Sequence, residues 1–168
     1  YEALYILGDL FEYWIGDDED NLTISNIKKN LSRLADQGVS LFFIHGNRDF
    51  LIGNKFASDT NIKILDDMHI INLNNKKIML SHGDVFCTDD HEYQDLKSRI
   101  RSKKWVDDFL SQPLSERIGI AEDMRSKRKD ASSNKPENIM DTNKDSIDHC
   151  IKHNNLDLLI HGHTHRPE

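Results

Sequence analysis

The chain has 168 residues, 37% hydrophobic and 30% charged, with a formal net charge of −7, which predicts one domain with a sizeable core and argues against a nucleic-acid binder. The two cysteines, Cys87 and Cys150, lie far apart, which excludes a disulfide framework and a Cys-based zinc site and favours a reducing compartment. No apolar run approaches the roughly 18 residues that a membrane span needs.

Short apolar runs that end in polar or glycine turns recur along the chain, and each predicts a buried strand. The runs are Ala3–Leu7, Leu41–Ile44, Ile78–Leu80 and Leu156–Ile160. Ile24–Asp36 carries apolar residues at helical spacing, and Gly38 follows as a helix stop. The segment "HIINLNNKKIML" predicts a hairpin that turns near Asn74 and Asn75. This alternation predicts a layered α/β domain.

The character of the chain changes between residue 91 and about residue 135, where no strand-like run occurs. Apolar residues recur there at helical spacing, and residues 97–135 carry 11 basic and 6 acidic side chains, a net +5 that leaves −12 for the remainder. We predict a helical insertion with a basic face at 91–135, between core segments 1–90 and 136–168. The string "ASSNKPEN" predicts a loop, and Ile139–His153 predicts a returning helix.

Polar clusters follow four of the predicted strands. They are Asp9 in "YILGDLFE", Asn47, Arg48 and Asp49 in "FIHGNRDF", His82 and Asp84 in "MLSHGDVF", and His161, His163 and His165 in "LIHGHTHRP". Ligands of open α/β sheets lie outside the carboxyl ends of strands, so four such ends can converge on one cleft. Asp, Asn and His suit Mn, Fe or Zn. A turn or a hydrogen-bonded histidine explains each cluster alone, but the four together predict a metal site.

The order GD, GNRD, HGD and GHTH resembles that of the calcineurin-like metallophosphoesterases. The longer strings "GDLFEYWIGDD", "GNRDFLIG" and "IHGHTHRP" are similar to one branch, the UDP-2,3-diacylglucosamine diphosphatases of lipid A biosynthesis. The resemblance implies a four-layer αββα sandwich with a helical cap, here truncated at both ends. It also implies two divalent metal ions, most often manganese, and hydrolysis of UDP-2,3-diacylglucosamine to UMP and 2,3-diacylglucosamine 1-phosphate.

The resemblance further implies three overlapping groups of site residues. The implied metal ligands are Asp9, Asn47, His82, His163 and His165. The implied substrate contacts are Asn47, Arg48, Asp90, Arg128, Ser132, Lys135 and His163. The implied catalytic residues are Asp9, Asn47, Arg48 and His163.

Within these groups, Asp9 is expected to bridge both metals, and the GHTH motif is expected to give one imidazole to each ion, with His161 structural. Arg48 stands where many members of the superfamily have a histidine, and its guanidinium suits phosphate oxygens.

Three features depart from the family pattern. The family begins with a strand that ends in D-x-H, whereas Asp67–His69 and Asp89–His91 fit that string only after the GNRD motif, so we expect neither to bind the first metal. Arg128 and Ser132 stand where a serine and an asparagine are expected. The chain starts inside a strand without Met and stops after the last motif, so we expect a fragment that is inactive in isolation.

The implied substrate is a lipid-linked nucleotide sugar. We therefore expect a cytoplasmic enzyme, peripheral on the inner membrane of a Gram-negative bacterium, whose insertion lines acyl chains and meets anionic lipid. Neither a nucleic-acid partner nor an obligate protein partner is expected. Three alternatives stay open: a metallophosphoesterase with another phosphoester or nucleotide substrate, a non-catalytic scaffold of the same fold, and an ordinary solvated lid at 91–135.

Overall fold

The computed structural model describes residues 1–133, 139 and 141–165, without the side chains of 128–133. The chain divides into two compact units, Tyr1–Asp66 and Asp67–Glu168. The described residues contain six strands and six α-helices, with one sheet in each unit. The α/β class predicted from the sequence is confirmed.

The first unit is built on a parallel sheet of three strands in the order β1-β2-β3. The strands are β1 (Ala3–Ile6), β2 (Ser40–Ile44) and β3 (Ile62–Leu65), and the helices between them are α1 (Leu22–Asp36) and α2 (Asn54–Thr60). Because the strands are parallel, the residues that follow β1 and β2 emerge at the same edge of the sheet. Phe43 and Phe56 are fully buried and form the centre of this core.

Local sequence signals set the ends of α1. Asn21 caps its start, because its side-chain oxygen accepts a hydrogen bond from the Ile24 backbone N–H at 3.0 Å. Ile24 and Leu31 face inward, and Gly38, with φ of 90°, ends the helix. The predicted helix Ile24–Asp36 is confirmed, with two further residues at its start.

The second unit is built on a mixed sheet of β4 (His69–Leu73), β5 (Lys76–Ser81) and β6 (Leu158–His161). Strands β4 and β5 form the predicted hairpin, with φ of 52° at Asn74 and 62° at Asn75, the pair of left-handed residues that a tight hairpin turn requires. Strand β6 runs parallel to β5 and pairs Ser81 with His161. That register puts the ends of the HGD and GHTH strands side by side.

Helices fill the rest of the second unit. They are α3 (His91–Ile100), α4 (Lys103–Leu110), α5 (Leu114–Ser133) and α6 (Lys144–Asn154). Phe109 is buried and stacks on Trp105 with ring centroids 4.8 Å apart, so this aromatic pair contributes core as well as surface. No described helix is both long and apolar enough to cross a membrane.

The helix and loop predictions were partly wrong after residue 130. The predicted loop "ASSNKPEN" begins inside α5, which continues to Ser133, and residues 134–138 lie outside the described residues. Ile139 is helical, but residues 141–143 are not, and a helix begins at Lys144, where Asn143 caps it through a hydrogen bond from the Ser146 N–H. Helix α2 and strand β3 were not predicted from the sequence.

Candidate functional site

In the first unit, the turns after β1 and β2 bring Asp9 and Arg48 together. The Arg48 backbone N–H donates to Asp9 Oδ1 at 3.0 Å, and Arg48 Nε lies 3.4 Å from Asp9 Oδ2. The Arg48 Nη1 atom donates to Glu12 Oε2 at 2.7 Å. Asn47 is partly buried in the same turn. The Arg48 side chain is 37% exposed, so its guanidinium can exchange these carboxylates for a ligand.

Asp49 fastens the GD and GNRD turns to each other. Its buried carboxylate accepts hydrogen bonds from the backbone N–H groups of Gly46 at 2.9 Å, Asp9 at 3.2 Å and Leu10 at 2.7 Å. Burial raises the pKa of Asp49 above its ordinary value, although the amides of Gly46 and Asp9 oppose the shift. A Cβ on Gly46 would collide with Asp9, so only glycine allows this approach.

Asp17 connects the same two segments, and the sequence did not single it out. Its carboxylate accepts hydrogen bonds from Trp14 Nε1 and from the backbone N–H groups of Gly53, Lys55 and Phe56, at 3.0 to 3.1 Å. The Trp14 N–H also donates to the Arg48 carbonyl at 3.0 Å. The segment "GDLFEYWIGDD" therefore fixes the GNRD turn through Trp14 and Asp17 as well as through Asp9.

In the second unit, the side chains of His82 and His163 meet. His82 Nε2 lies 3.1 Å from His163 Nδ1, and the Gly162 N–H donates to the His82 carbonyl at 2.9 Å. His82 is buried, and His163 is partly buried. A Cβ on Gly83 would lie 2.8 Å from the Gly162 carbonyl oxygen, so the close approach of the two motifs requires glycine at position 83.

Three of the five predicted metal ligands have left-handed backbone conformations. The φ angles are 53° at Asp9, 71° at His163 and 56° at His165. Non-glycine residues seldom adopt this region, and such strain is concentrated at functional sites where surrounding contacts enforce it. The backbone conformation therefore supports a functional role for the strand-end turns of each unit.

Asp67 has a structural role that the sequence did not predict. Its Oδ1 atom accepts hydrogen bonds from Ser81 Oγ at 2.7 Å and from the His82 N–H at 3.1 Å. Ser81 Oγ in turn accepts from the Gly83 N–H at 3.1 Å. The residues Asp67–His69 match the D-x-H motif only in sequence. Asp67 instead fixes the backbone of the HGD turn.

Asp84 is buried against helix α3. Tyr93 Oη donates to Asp84 Oδ2 at 2.5 Å and Lys97 Nζ to Oδ1 at 2.8 Å, while Arg101 Nη2 lies 3.6 Å from Oδ2. Burial acts to raise the pKa of Asp84, but the charge and hydrogen bond of Lys97, with the Tyr93 hydroxyl, hold it below the ordinary value. The ring of Tyr93 also stacks on His163, with centroids 6.1 Å apart.

The remaining predicted residues are distributed along the second unit. Asp90 is buried and caps α3, accepting from the Tyr93 N–H at 3.1 Å. His165 is exposed, and His161 packs its ring 6.0 Å from that of Phe86. Arg128 and Ser132 lie in helix α5, but the structure does not describe their side chains. Lys135 lies outside the described residues.

The chemistry of the donors fits divalent metal ions. The first unit carries the Asp9 carboxylate and, next to Arg48 in the chain, the partly buried Asn47, and the second presents two imidazole nitrogens 3.1 Å apart. Oxygen and imidazole donors suit Mn, Fe and Zn. The described cysteines are both buried, and burial raises the pKa of the Cys87 thiol to about 11, so Cys87 stays protonated at neutral pH and is a poor metal ligand.

Comparisons with known proteins agree on one family. The calcineurin-like phosphoesterase profile matches residues 1–167. The chain is 44% identical over 167 residues to the UDP-2,3-diacylglucosamine hydrolase of Histophilus somni strain 2336, covering 98% of this chain and 70% of that relative. It is 46% identical over 166 residues to the protein of the same name from Haemophilus influenzae strain Rd, with the same coverage. The Aromatoleum aromaticum protein of that name is 43% identical over 166 residues, covering 99% of this chain and 68% of the relative.

Proposed function

This chain belongs to the calcineurin-like phosphoesterase family, and we propose that it hydrolyses the pyrophosphate bond of UDP-2,3-diacylglucosamine, giving UMP and 2,3-diacylglucosamine 1-phosphate. The observation that carries the proposal is the 44% identity, over 98% of the chain, to a relative that is named as hydrolase of this substrate. The strand-end turns support it, because they hold a carboxylate, a guanidinium and an imidazole pair in strained and tightly fixed backbone.

The family implies divalent metal ions, and we propose two of them, with manganese as the native metal. Asp9, Asn47, His82, His163 and His165 would hold the ions, with Asp9 shared between them. When bound, the ions would neutralise diphosphate charge and lower the pKa of a water molecule. The ligand types support this assignment, since carboxylate, amide oxygen and imidazole together suit Mn.

Arg48 is proposed to bind the diphosphate. Its guanidinium can form paired hydrogen bonds to phosphate oxygens. In the free protein it contacts Asp9 and Glu12, with 37% of the side chain exposed. On binding of the substrate, phosphate oxygens would therefore replace carboxylate oxygens as partners of Arg48, and the cation would stay paired.

The proposed bond change is attack of water at the α-phosphorus. The oxygen of water bonds to that phosphorus, and the bond to the bridging oxygen breaks. UMP then carries the new oxygen, and the bridging oxygen leaves with the lipid 1-phosphate. Arg48 and His163 are proposed to stabilise the charge that develops on the phosphoryl oxygens.

Residues 91–135 are proposed to be a cap for the lipid part of the substrate, attached to a core of 1–90 and 136–168. Asp90, Arg128, Ser132 and Lys135 would contact the substrate. Residues 97–135 carry 11 basic and 6 acidic side chains, and an excess of cations favours an anionic lipid surface. We propose a cytoplasmic enzyme, peripheral on the inner membrane of a Gram-negative bacterium.

The test uses the full-length protein with UDP-2,3-diacylglucosamine and Mn²⁺ in ¹⁸O-labelled water. We expect UMP release that EDTA abolishes, with the label in UMP, and a His163→Ala variant should be inactive. Label in the lipid phosphate would overturn the site of attack. Hydrolysis of simple nucleotides or phosphodiesters without hydrolysis of UDP-2,3-diacylglucosamine would instead support another substrate, and no hydrolysis with bound metal would support a scaffold.

A further inference from the structure

Side chains of helix α3 contact the HGD turn at the buried carboxylate of Asp84. Tyr93, Lys97 and Arg101 recur every four residues, and their polar ends all meet Asp84, which is fully buried. Gln94 adds hydrogen bonds from Nε2 to the carbonyl oxygens of Asp84 at 2.8 Å and Cys87 at 3.0 Å. The first helix of the predicted insertion is therefore anchored to the turn that carries His82.

The same helix reaches the ring of His163. The Tyr93 ring lies nearly parallel to the imidazole, with an interplanar angle of 26° and centroids 6.1 Å apart. His82 meets that imidazole at an angle of 72°, with centroids 5.0 Å apart. His163 also has φ of 71°, a strained conformation that persists only where neighbouring groups enforce it.

We propose that Asp84 and Tyr93 are positioning residues for His163. The Tyr93 hydroxyl donates to Asp84, which fixes the plane of the phenol ring, and the ring then fixes the plane of the imidazole. Partners outside a ligand set orient the imidazoles that bind a metal. The inference rests on the proposed function of His163, and it makes α3 part of the catalytic machinery as well as of the cap.

The ring and the hydroxyl of Tyr93 can be removed separately. Tyr93→Phe keeps the ring over His163 and loses only the bond to Asp84, whereas Tyr93→Leu loses the stacked ring. We expect Tyr93→Leu to lower kcat and Mn²⁺ affinity by about 10-fold to 100-fold with KM little changed, and Tyr93→Phe to retain most of both. Tyr5→Leu is the control, because Tyr5 is stacked on Phe42 instead of a histidine.

Nuclear magnetic resonance of the metal-free full-length protein gives a readout that does not require activity. The decisive variants are Tyr93→Phe and Asp84→Asn, because both keep the aromatic ring, so a moved His163 imidazole resonance reports changed ring geometry and not the lost ring current of Tyr93→Leu. We expect the resonance to move in both variants and to stay in place in Tyr5→Leu. Tyr93→Phe keeps the test valid if Asp84→Asn does not fold, since it loses the same hydrogen bond and leaves the buried carboxylate in place.

Two results would overturn the positioning role. One is an unchanged His163 resonance in both Tyr93→Phe and Asp84→Asn, and the other is a rise in KM alone in Tyr93→Leu, which would make Tyr93 a substrate contact. If the His163 resonance moves as expected but the wild-type protein does not hydrolyse UDP-2,3-diacylglucosamine, the positioning role stands and the proposed function fails.

Discussion

Asp9 and Asp84 both follow glycine after a strand, and both pair with a cation, but the two pairs differ in exposure and geometry. In the first unit, Arg48 Nε lies 3.4 Å from Asp9, with side chains 37% and 15% exposed. In the second unit, Lys97 Nζ lies 2.8 Å from Asp84, with side chains 15% and 0% exposed. A partly exposed guanidinium can leave its partner for a substrate, whereas an ammonium that compensates a fully buried carboxylate cannot leave without a large cost. The Gly-Asp dipeptide is the same in both places, and the environment of the paired cation distinguishes the binding role proposed for Arg48 from a structural role for Lys97.

The largest expected effect comes from removing the exposed cation. In the full-length protein, Arg48→Ala should lower turnover of UDP-2,3-diacylglucosamine by about 100-fold or more, because a donor to developing phosphoryl charge is lost. Metal content should be nearly unchanged, since a guanidinium has no lone pair for a metal. UMP release and metal analysis on the same samples measure both quantities.

Arg48→Lys separates charge from geometry in that experiment. Lysine keeps the positive charge but cannot form the paired hydrogen bonds of a guanidinium, so we expect turnover between those of the wild type and the alanine variant. If Arg48→Ala lost its metal, or lost stability as strongly as activity, the Asp9–Arg48 pair would be structural, and the contrast with Asp84 would disappear.

Removing Lys97, the cation that pairs with the fully buried Asp84, should mainly lower the stability of the fold. Lys97→Met keeps much of the side-chain volume but takes a hydrogen-bonded charge from a fully buried carboxylate. We expect the free energy of unfolding to fall by about 2 kcal/mol, because Arg101 and Tyr93 still contact Asp84. Urea unfolding measures the change.

Lys104→Met is the matched control for Lys97→Met. Lys104 pairs with Asp108 at 2.7 Å, but the two side chains are 87% and 64% exposed. Solvent screens such a pair, so we expect no measurable change in stability. Equal losses in the two variants would mean that burial of Asp84 does not set the strength of its ion pair.

The sequence predicted the parts of the site that depend on local pattern. Strand ends, the glycines of the four motifs and the hairpin at Asn74 and Asn75 all follow from short-range rules, and the structure confirms the strands to within about two residues. The family resemblance added roles for individual residues, and these roles stay proposals.

The contacts that fix the site could not be predicted, because they join distant parts of the chain. Asp17 bonds to the N–H of Phe56, and Asp67 bonds to the N–H of His82, 39 and 15 residues away. Neither aspartate differs in its local sequence from an exposed one. Helix α2 was missed because its seven residues are too few to show a helical period.

A third aspartate extends the comparison, because the buried Asp49 has no described hydrogen bond from a cation and takes three from backbone N–H groups. Asp49→Asn should keep one accepting oxygen and turn an amide NH₂ toward a backbone N–H. We expect a loss of about 1 kcal/mol in urea unfolding, since an amide is cheaper to bury than a carboxylate and offsets part of the lost bond. A loss as large as that of Lys97→Met would mean that backbone donors compensate a buried charge as well as a cation does.

The smallest effect is a difference in pH dependence, measured on metal-free protein in EDTA. The folded-state pKa of Asp84 lies below its ordinary 3.8, so its carboxylate stabilises the fold above that pH and loses the contribution as pH falls through the folded pKa. The folded-state pKa of Asp49 lies above 3.8, so folding takes up a proton between the two values, and this contribution is lost as pH rises through the folded pKa. The stability advantage of wild type over Asp84→Asn should therefore shrink as pH is lowered from 6 toward 3, and its advantage over Asp49→Asn should grow. Slopes of the same sign in the two difference curves would show that the nearby cations do not govern protonation of these two carboxylates.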